Sequence, residues 1–218
     1  MRSELAKTAE AVKKAKQNKK NTKFKQSVEL VINVTGVDLT KPQNRFSEVI
    51  ELPNDLGRKR RKILVIASGN LALEASKTPG VARVIQKEEL EALVGRKKEA
   101  KKIASEYDFV LVEPALVGLA ARVLGAALGA RGKTPIPIPP GSDIQKLVKR
   151  YENSVVATLR KSPQVACIVG VEEDPDEKIA ENLETVLNRV VEKLEKKRRN
   201  IASVYVKTTM GKPVKVEF

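Results

Sequence analysis

The sequence predicts a mixed α/β chain in which a layer of alternating strands and helices is inserted between the two halves of a separate sheet-and-helix domain. Three observations predict it. Between residues 63 and 151, short all-apolar runs such as "ILVIA" alternate with helical stretches, as expected of parallel strands covered on both faces. The flanking segments hold half-polar strands and one long amphipathic helix, and neither has enough apolar sequence to form a sound core alone. Charge is also uneven: residues 1–62 carry 16 basic and 7 acidic side chains, 63–150 carry 14 and 9, and 151–218 carry 12 and 11.

Residues 3–17, "SELAKTAEAVKKAKQ", predict an Ala- and Lys-rich helix with Ser3 at its N-cap. "KFKQSVELVINVTGVDL" alternates polar and apolar residues into a Val- and Ile-rich strand, and "RFSEVIELP" is a second strand closed by Pro53. Residues 58–62 are five basic side chains in succession. Then follow a buried strand at 63–67, a helix at 70–77, the strand "ARVIQ", one or two helices over 87–105, and the strand "YDFVLVEP". Residues 114–128 form an Ala- and Leu-rich helix ending at Gly129. The prolines of "TPIPIPPGS" (134–142) lack an amide donor and fix φ, so this stretch is expected to be a semi-rigid connector before a short helix at 143–151. "SVVATLR" and "QVACIVGVE" are two more strands. The helix over 174–199 has the clearest signals: Asp174 at the N-cap, Pro175 at the first helical position and Glu177 at the third. Ile179, Leu183, Val186, Leu187, Val190 and Leu194 make its apolar stripe, and the basic run 196–199 complements its dipole. "SVYVKTTMGKPVKVEF" closes the chain as a strand, a turn at Gly211 and a last strand.

Composition narrows the chemistry. The chain sets 42 Lys and Arg against 27 Asp and Glu, for a net charge of +15 and a pI of about 9.9. Such a field holds a polyanion, either nucleic acid or an anionic membrane. No apolar run approaches the ~20 residues of a spanning helix, and the basic first 25 residues lack the apolar stretch of a signal peptide. The expectation is a cytoplasmic protein with no membrane partner. Histidine is absent and Cys167 stands alone, which excludes a disulfide framework, a Cys/His zinc site and His-dependent nucleophiles. No catalytic residue, metal or cofactor is expected. Cys167, within "VACIVGV", reads as a small buried thiol. At 3% aromatic, the chain has too few rings for base-stacking platforms.

Two strings draw notice. "ALGARGKT" (127–134) nearly matches a phosphate loop, with Ala127 where the first Gly belongs, but it ends a helix and enters "PIPIPP" instead of following a strand and opening a helix. Gly129 and Gly132 fit a helix C-cap and a turn, leaving Arg131 and Lys133 on a tight loop as phosphate contacts. "IASGNLA" has one glycine, so no dinucleotide fingerprint exists. In "SVYVKTTMG", Ser203, Tyr205, Lys207 and Thr209 share one strand face and Val204, Val206, Thr208 and Met210 the other. Small hydroxyls beside a Gly suit close approach to ribose 2′-hydroxyls, although an ordinary strand with a solvated Thr face has the same spacing.

"SVYVKTTMG", with "KFKQSVEL" and "LGARGK" in the same order, closely resembles the ribosomal protein L-one family of the large-subunit stalk, in its archaeal and eukaryotic branch. Ala130 stands where that family commonly has Pro. The resemblance implies an α+β first domain of antiparallel sheet and helices, built from 1–60 and 152–218, with a Rossmann-like second domain at 61–151. It implies binding to large-subunit rRNA near the tRNA exit site, contact with exiting tRNA and other ribosomal components, and repression of the protein's own mRNA. The implied contacts in the first domain are Lys23, Phe24, Ser27, Glu29, Ser203, Thr208, Thr209, Met210 and Gly211. Gly129, Arg131, Gly132 and Lys133 in the second domain supply weaker ones. Lys23 would meet a phosphate, Phe24 would pack on a sugar or base, and Glu29 would orient a donor or a ribose hydroxyl. The competing readings are a nucleotide-dependent enzyme, disfavoured by the failed motifs, and a basic chaperone-like protein without a defined RNA site.

Overall fold

A computed structural model describes residues 2–57 and 61–217. The first segment holds α1 (Arg2–Gln17), β1 (Ser27–Val34) and β2 (Phe46–Glu51). The middle holds β3 (Ile63–Ile66), α2 (Gly69–Lys77), β4 (Val81–Ile85), α3 (Lys87–Ala92), α4 (Lys97–Glu106), β5 (Phe109–Val112), α5 (Val117–Gly129), β6 (Pro135–Pro137) and α6 (Ile144–Glu152). The last holds β7 (Ser154–Leu159), β8 (Gln164–Val171), α7 (Asp176–Lys193), β9 (Ile201–Thr208) and β10 (Val214–Val216). Two compact units result: Met1–Arg60 with Asn153–Phe218, and Arg61–Glu152. Residues 58–60 of the basic run lie outside the described residues.

In the first unit an antiparallel sheet runs β10-β9-β1-β8, and β2 pairs with β7 in a two-stranded sheet. Alternation decides its faces. Val28, Leu30, Ile32, Val204 and Val206 are fully buried with the α7 stripe and with Ala11, Val12 and Ala15 of α1. Glu29, Val31, Asn33, Ser203, Tyr205 and Lys207 point the other way and stay partly accessible. Cys167 is only half buried, packed at the margin of this core.

In the second unit a parallel sheet runs β4-β3-β5-β6. Every residue of β3 and β5 is buried, because helices cover both faces. Leu64, Ile66, Val110 and Val112 pack with residues of α3, α4 and α5, while the Phe109 and Tyr151 rings meet at 5.3 Å between centroids.

The structure differs from the sequence reading at several elements. Helix α1 already begins at Arg2, so Ser3 lies in its first turn and not at its cap. The proline-rich stretch is not merely a connector: β6 forms an edge strand on β5. The Ile138 amide donates to the Val112 carbonyl at 2.8 Å, and an edge position tolerates Pro135 and Pro137, which have no amide to offer. In α7 the cap falls one residue later, at Pro175, whose carbonyl accepts the Ile179 amide. Asp174 is engaged elsewhere, its carboxylate accepting the Val171 amide at 2.9 Å to close the preceding turn. The helix also stops at Lys193, so the basic run 196–199 lies beyond it. Buried Asn200 fixes that exit, accepting the Lys196 amide at 2.7 Å and donating to the Thr35 carbonyl at 2.9 Å.

Candidate nucleic-acid interface

The open face of the first unit's sheet is polar and laterally tied. Asn33 sits between Gln164 and Ser203 in register. Its amide donates to Ser203 Oγ at 2.9 Å and its carbonyl oxygen accepts from Gln164 at 3.1 Å. One row along, Tyr205 lies between Val31 and Lys215. Then comes Glu29 opposite Lys207, 3.9 Å from carboxylate to ammonium. Cross-strand neighbours of this kind hold one another's rotamers. Glu29 therefore has a partner that limits its repulsion of phosphate.

This face leads to the end where β1 begins and β9 ends. There Phe24 is 53% and Met210 49% exposed, unusual for side chains of such apolar area, with Lys23 exposed beside Phe24. The backbone beneath is well fixed. Thr209 donates its amide to the Ser27 carbonyl at 3.0 Å, and its hydroxyl bridges the same residue, accepting the Ser27 amide at 3.2 Å and reaching its carbonyl at 3.3 Å. Buried Gln26 accepts the Met210 amide at 2.9 Å and donates to the Lys20 carbonyl at 2.7 Å. The sequence reading missed Gln26; a polar residue just before an alternating strand carried no signal of its burial.

Ser27 and Thr208 are both buried, at 5% and 0% exposed, with Thr208 on the inner face beside Val206. Among the described residues, Thr208 Oγ1 has no hydrogen-bond partner. Gly211 is required for space: a Cβ there would come within 2.2 Å of Thr208 Oγ1 and 3.2 Å of the Asn18 carbonyl at the end of α1. Outside this edge, Lys19 pairs with Glu172 at 3.2 Å and Lys25 with Glu173, so acidic residues after β8 neutralise part of the local cationic charge.

The loop after α5 is a different kind of feature. Gly132, at φ +71°, ends the helix in a left-handed turn. Its amide donates to Gly129 and the Lys133 amide to Leu128, both at 3.0 Å, the two bonds of a Schellman ending. Gly129 is thus the last helical residue and Gly132 the turn. Arg131 is exposed, with one guanidinium nitrogen 3.1 Å from the Ala127 carbonyl. Lys133 turns inward to cap α4, donating to the Ala104 and Tyr107 carbonyls at 3.0 and 2.6 Å. Burial pushes its ammonium pKa down, opposed by nearby Asp108. The thirteen expected contacts thus fall into one group at the sheet end and along its open face and a second group around the α5 loop.

Among the described residues no cluster of His, Cys, Asp or Glu is placed to hold a metal, and no helix is long and apolar enough to cross a membrane. The model of the ribosomal protein L1p/L10e family matches residues 12–212. The chain belongs to this family. It is 44% identical over 208 residues to large ribosomal subunit protein uL1 of Thermofilum pendens, covering 95% of this chain and 91% of that protein. The uL1 protein of Methanothermobacter thermautotrophicus is 44% identical over 207 residues, covering 95% and 97%. That of Thermococcus kodakarensis is 43% identical over 212 residues, covering 97% of each chain. The L1p/L10e family is one of structural ribosomal proteins, not of enzymes.

Proposed function

We propose that the chain is a structural protein of the large ribosomal subunit that binds large-subunit rRNA chiefly through its first unit, at the end of the sheet where Phe24 and Met210 stand exposed. The observation that carries this reading is the pairing of those two apolar side chains with a backbone locked by Thr209 and Gln26. An RNA minor groove offers riboses and 2′-hydroxyls to such a surface. Phe24 and Met210 pack on sugars, and Lys23 meets a phosphate. Thr209 spends its one donor and one lone pair on Ser27, so its second lone pair accepts from a ribose 2′-hydroxyl. Buried Ser27 and Thr208 act by shaping this edge, as does Gly211. On the α5 loop, exposed Arg131 supplies a secondary phosphate contact, positioned by Gly129 and Gly132, while Lys133 holds the loop in place.

The same surface accepts any RNA that reproduces the rRNA fold, which is how the chain would repress its own mRNA. The resemblance to this family supports placement near the tRNA exit site, contact with exiting tRNA and residence on cytoplasmic ribosomes as parts of the same proposal. The test is equilibrium binding to a large-subunit rRNA fragment at several salt concentrations, with excess unrelated RNA as competitor. Affinity should fall steeply with salt, survive the competitor, and drop roughly tenfold or more for Phe24→Ala. Equal affinity for unrelated RNA would overturn the reading in favour of a basic protein without a defined site.

A further inference from the structure

The second unit carries a groove of which the proposed RNA contacts use only Arg131, at its rim. It lies between the 93–97 turn, the first part of α4 and the outer face of α5, and encloses about 280 Å³. Leu93, Val94, Val123, Ala126 and Ala127 form an apolar floor, and Val94 is 53% exposed. Gly95 adds no side chain at the mouth. Around this floor stand Arg96, Lys97, Lys101, Arg122 and Arg131, and no acidic residue lines the groove. Arg96 reaches Glu99 at 3.3 Å, outside the lining. Neither Lys97, Lys101 nor Arg122 takes part in an ion pair among the described residues.

We infer that this groove docks an acidic amphipathic helical segment of a protein partner. Charge complementarity fixes the sign of the occupant, because Lys97, Lys101 and Arg122, with Arg96 and Arg131 beside them, face one cavity with no carboxylate in its lining. The floor fixes its class. A phosphate backbone laid over Leu93, Val94 and Val123 would cover apolar surface without filling it, and no aromatic ring lines the groove for a base to stack on. A helix presenting apolar side chains at i, i+3 or i+4 and i+7, flanked by Glu, satisfies both floor and rim. The alanines of α5 and Gly95 permit the close approach such a helix needs.

The probe is a fluorescein-labelled 16-residue peptide with Leu at those spacings and Glu at most other positions, titrated into the full-length chain. Its controls are a scrambled peptide of the same composition and an unlabelled RNA duplex as competitor. Surface ion pairs alone discriminate poorly, so the scrambled peptide should bind at least about tenfold more weakly if the floor is engaged. Ala126→Glu, on the exposed side of α5 and kind to helix propensity, should lower affinity for the ordered peptide about tenfold or more, both by filling the floor and by charge. In wild-type protein, amide chemical-shift changes should centre on 93–101 and 122–131, a readout that does not depend on any variant folding. Equal binding of the two peptides, shifts centred elsewhere, unaltered affinity of folded Ala126→Glu, or displacement by the RNA duplex at equimolar concentration would each overturn the inference, the last in favour of a nucleic-acid site.

Discussion

Thr208 and Thr209 are adjacent threonines with opposite roles. Thr209 keeps an accessible side chain whose hydroxyl is already bonded to Ser27, so removing that hydroxyl costs twice. Thr209→Val should destabilise the first unit by roughly 0.5–1.5 kcal/mol and also weaken RNA binding by about tenfold, as a ribose hydroxyl loses its acceptor. Thr209→Ser retains both, and comparison of the pair by urea unfolding and equilibrium binding separates hydroxyl from shape. Thr208→Val should do the reverse. Its hydroxyl is buried without a partner among the described residues, so an apolar replacement of nearly the same shape should stabilise the unit by about 1 kcal/mol and leave RNA affinity unchanged; a loss of affinity would put Thr208 in contact with RNA. The alternation of "SVYVKTTMG" made the difference in facing legible from the sequence. That the outward hydroxyl was tied to a residue 182 positions away was not, because strand register is a property of two segments together.

At the level of elements, the strands and helices that periodicity and all-apolar runs announce are present, including β3, β5 and the buried stripe of α7. The departures occur where one residue has two candidate uses. Asp174 fitted a helix cap but closes the β8–α7 turn, and the prolines of 135–137 fitted a connector but occupy a sheet edge. Lys133 also has two candidate uses. A lysine on a glycine-rich loop suggests phosphate, whereas its ammonium holds the C-terminal carbonyls of α4. Lys133→Ala should therefore lower the stability of the second unit by about 1–2 kcal/mol by freeing those carbonyls, measured by hydrogen exchange across α4. Arg131→Ala should leave that exchange unaltered and weaken RNA binding slightly. If Lys133→Ala changed binding and not exchange, the phosphate role would stand instead.

For the whole molecule, the first unit should be sufficient for recognition. Residues 1–60 joined to 153–218 by a short Gly linker should fold cooperatively and bind the rRNA fragment, since the buried residues of that core all come from these two segments. A folded chimera without specific binding would mean that the second unit contributes necessary contacts. The pairing of Ser27 with Thr209 also has a consequence in time. As the chain leaves a ribosome N-terminus first, the contiguous second unit can close while β7 to β10 are still unmade, and α1 and β1 must wait uncovered, strongly basic and without their sheet partners. The edge proposed to grip RNA comes into being only once Thr209 and Met210 have been made. A nascent chain that has not yet reached Thr209 should thus bind the rRNA fragment poorly.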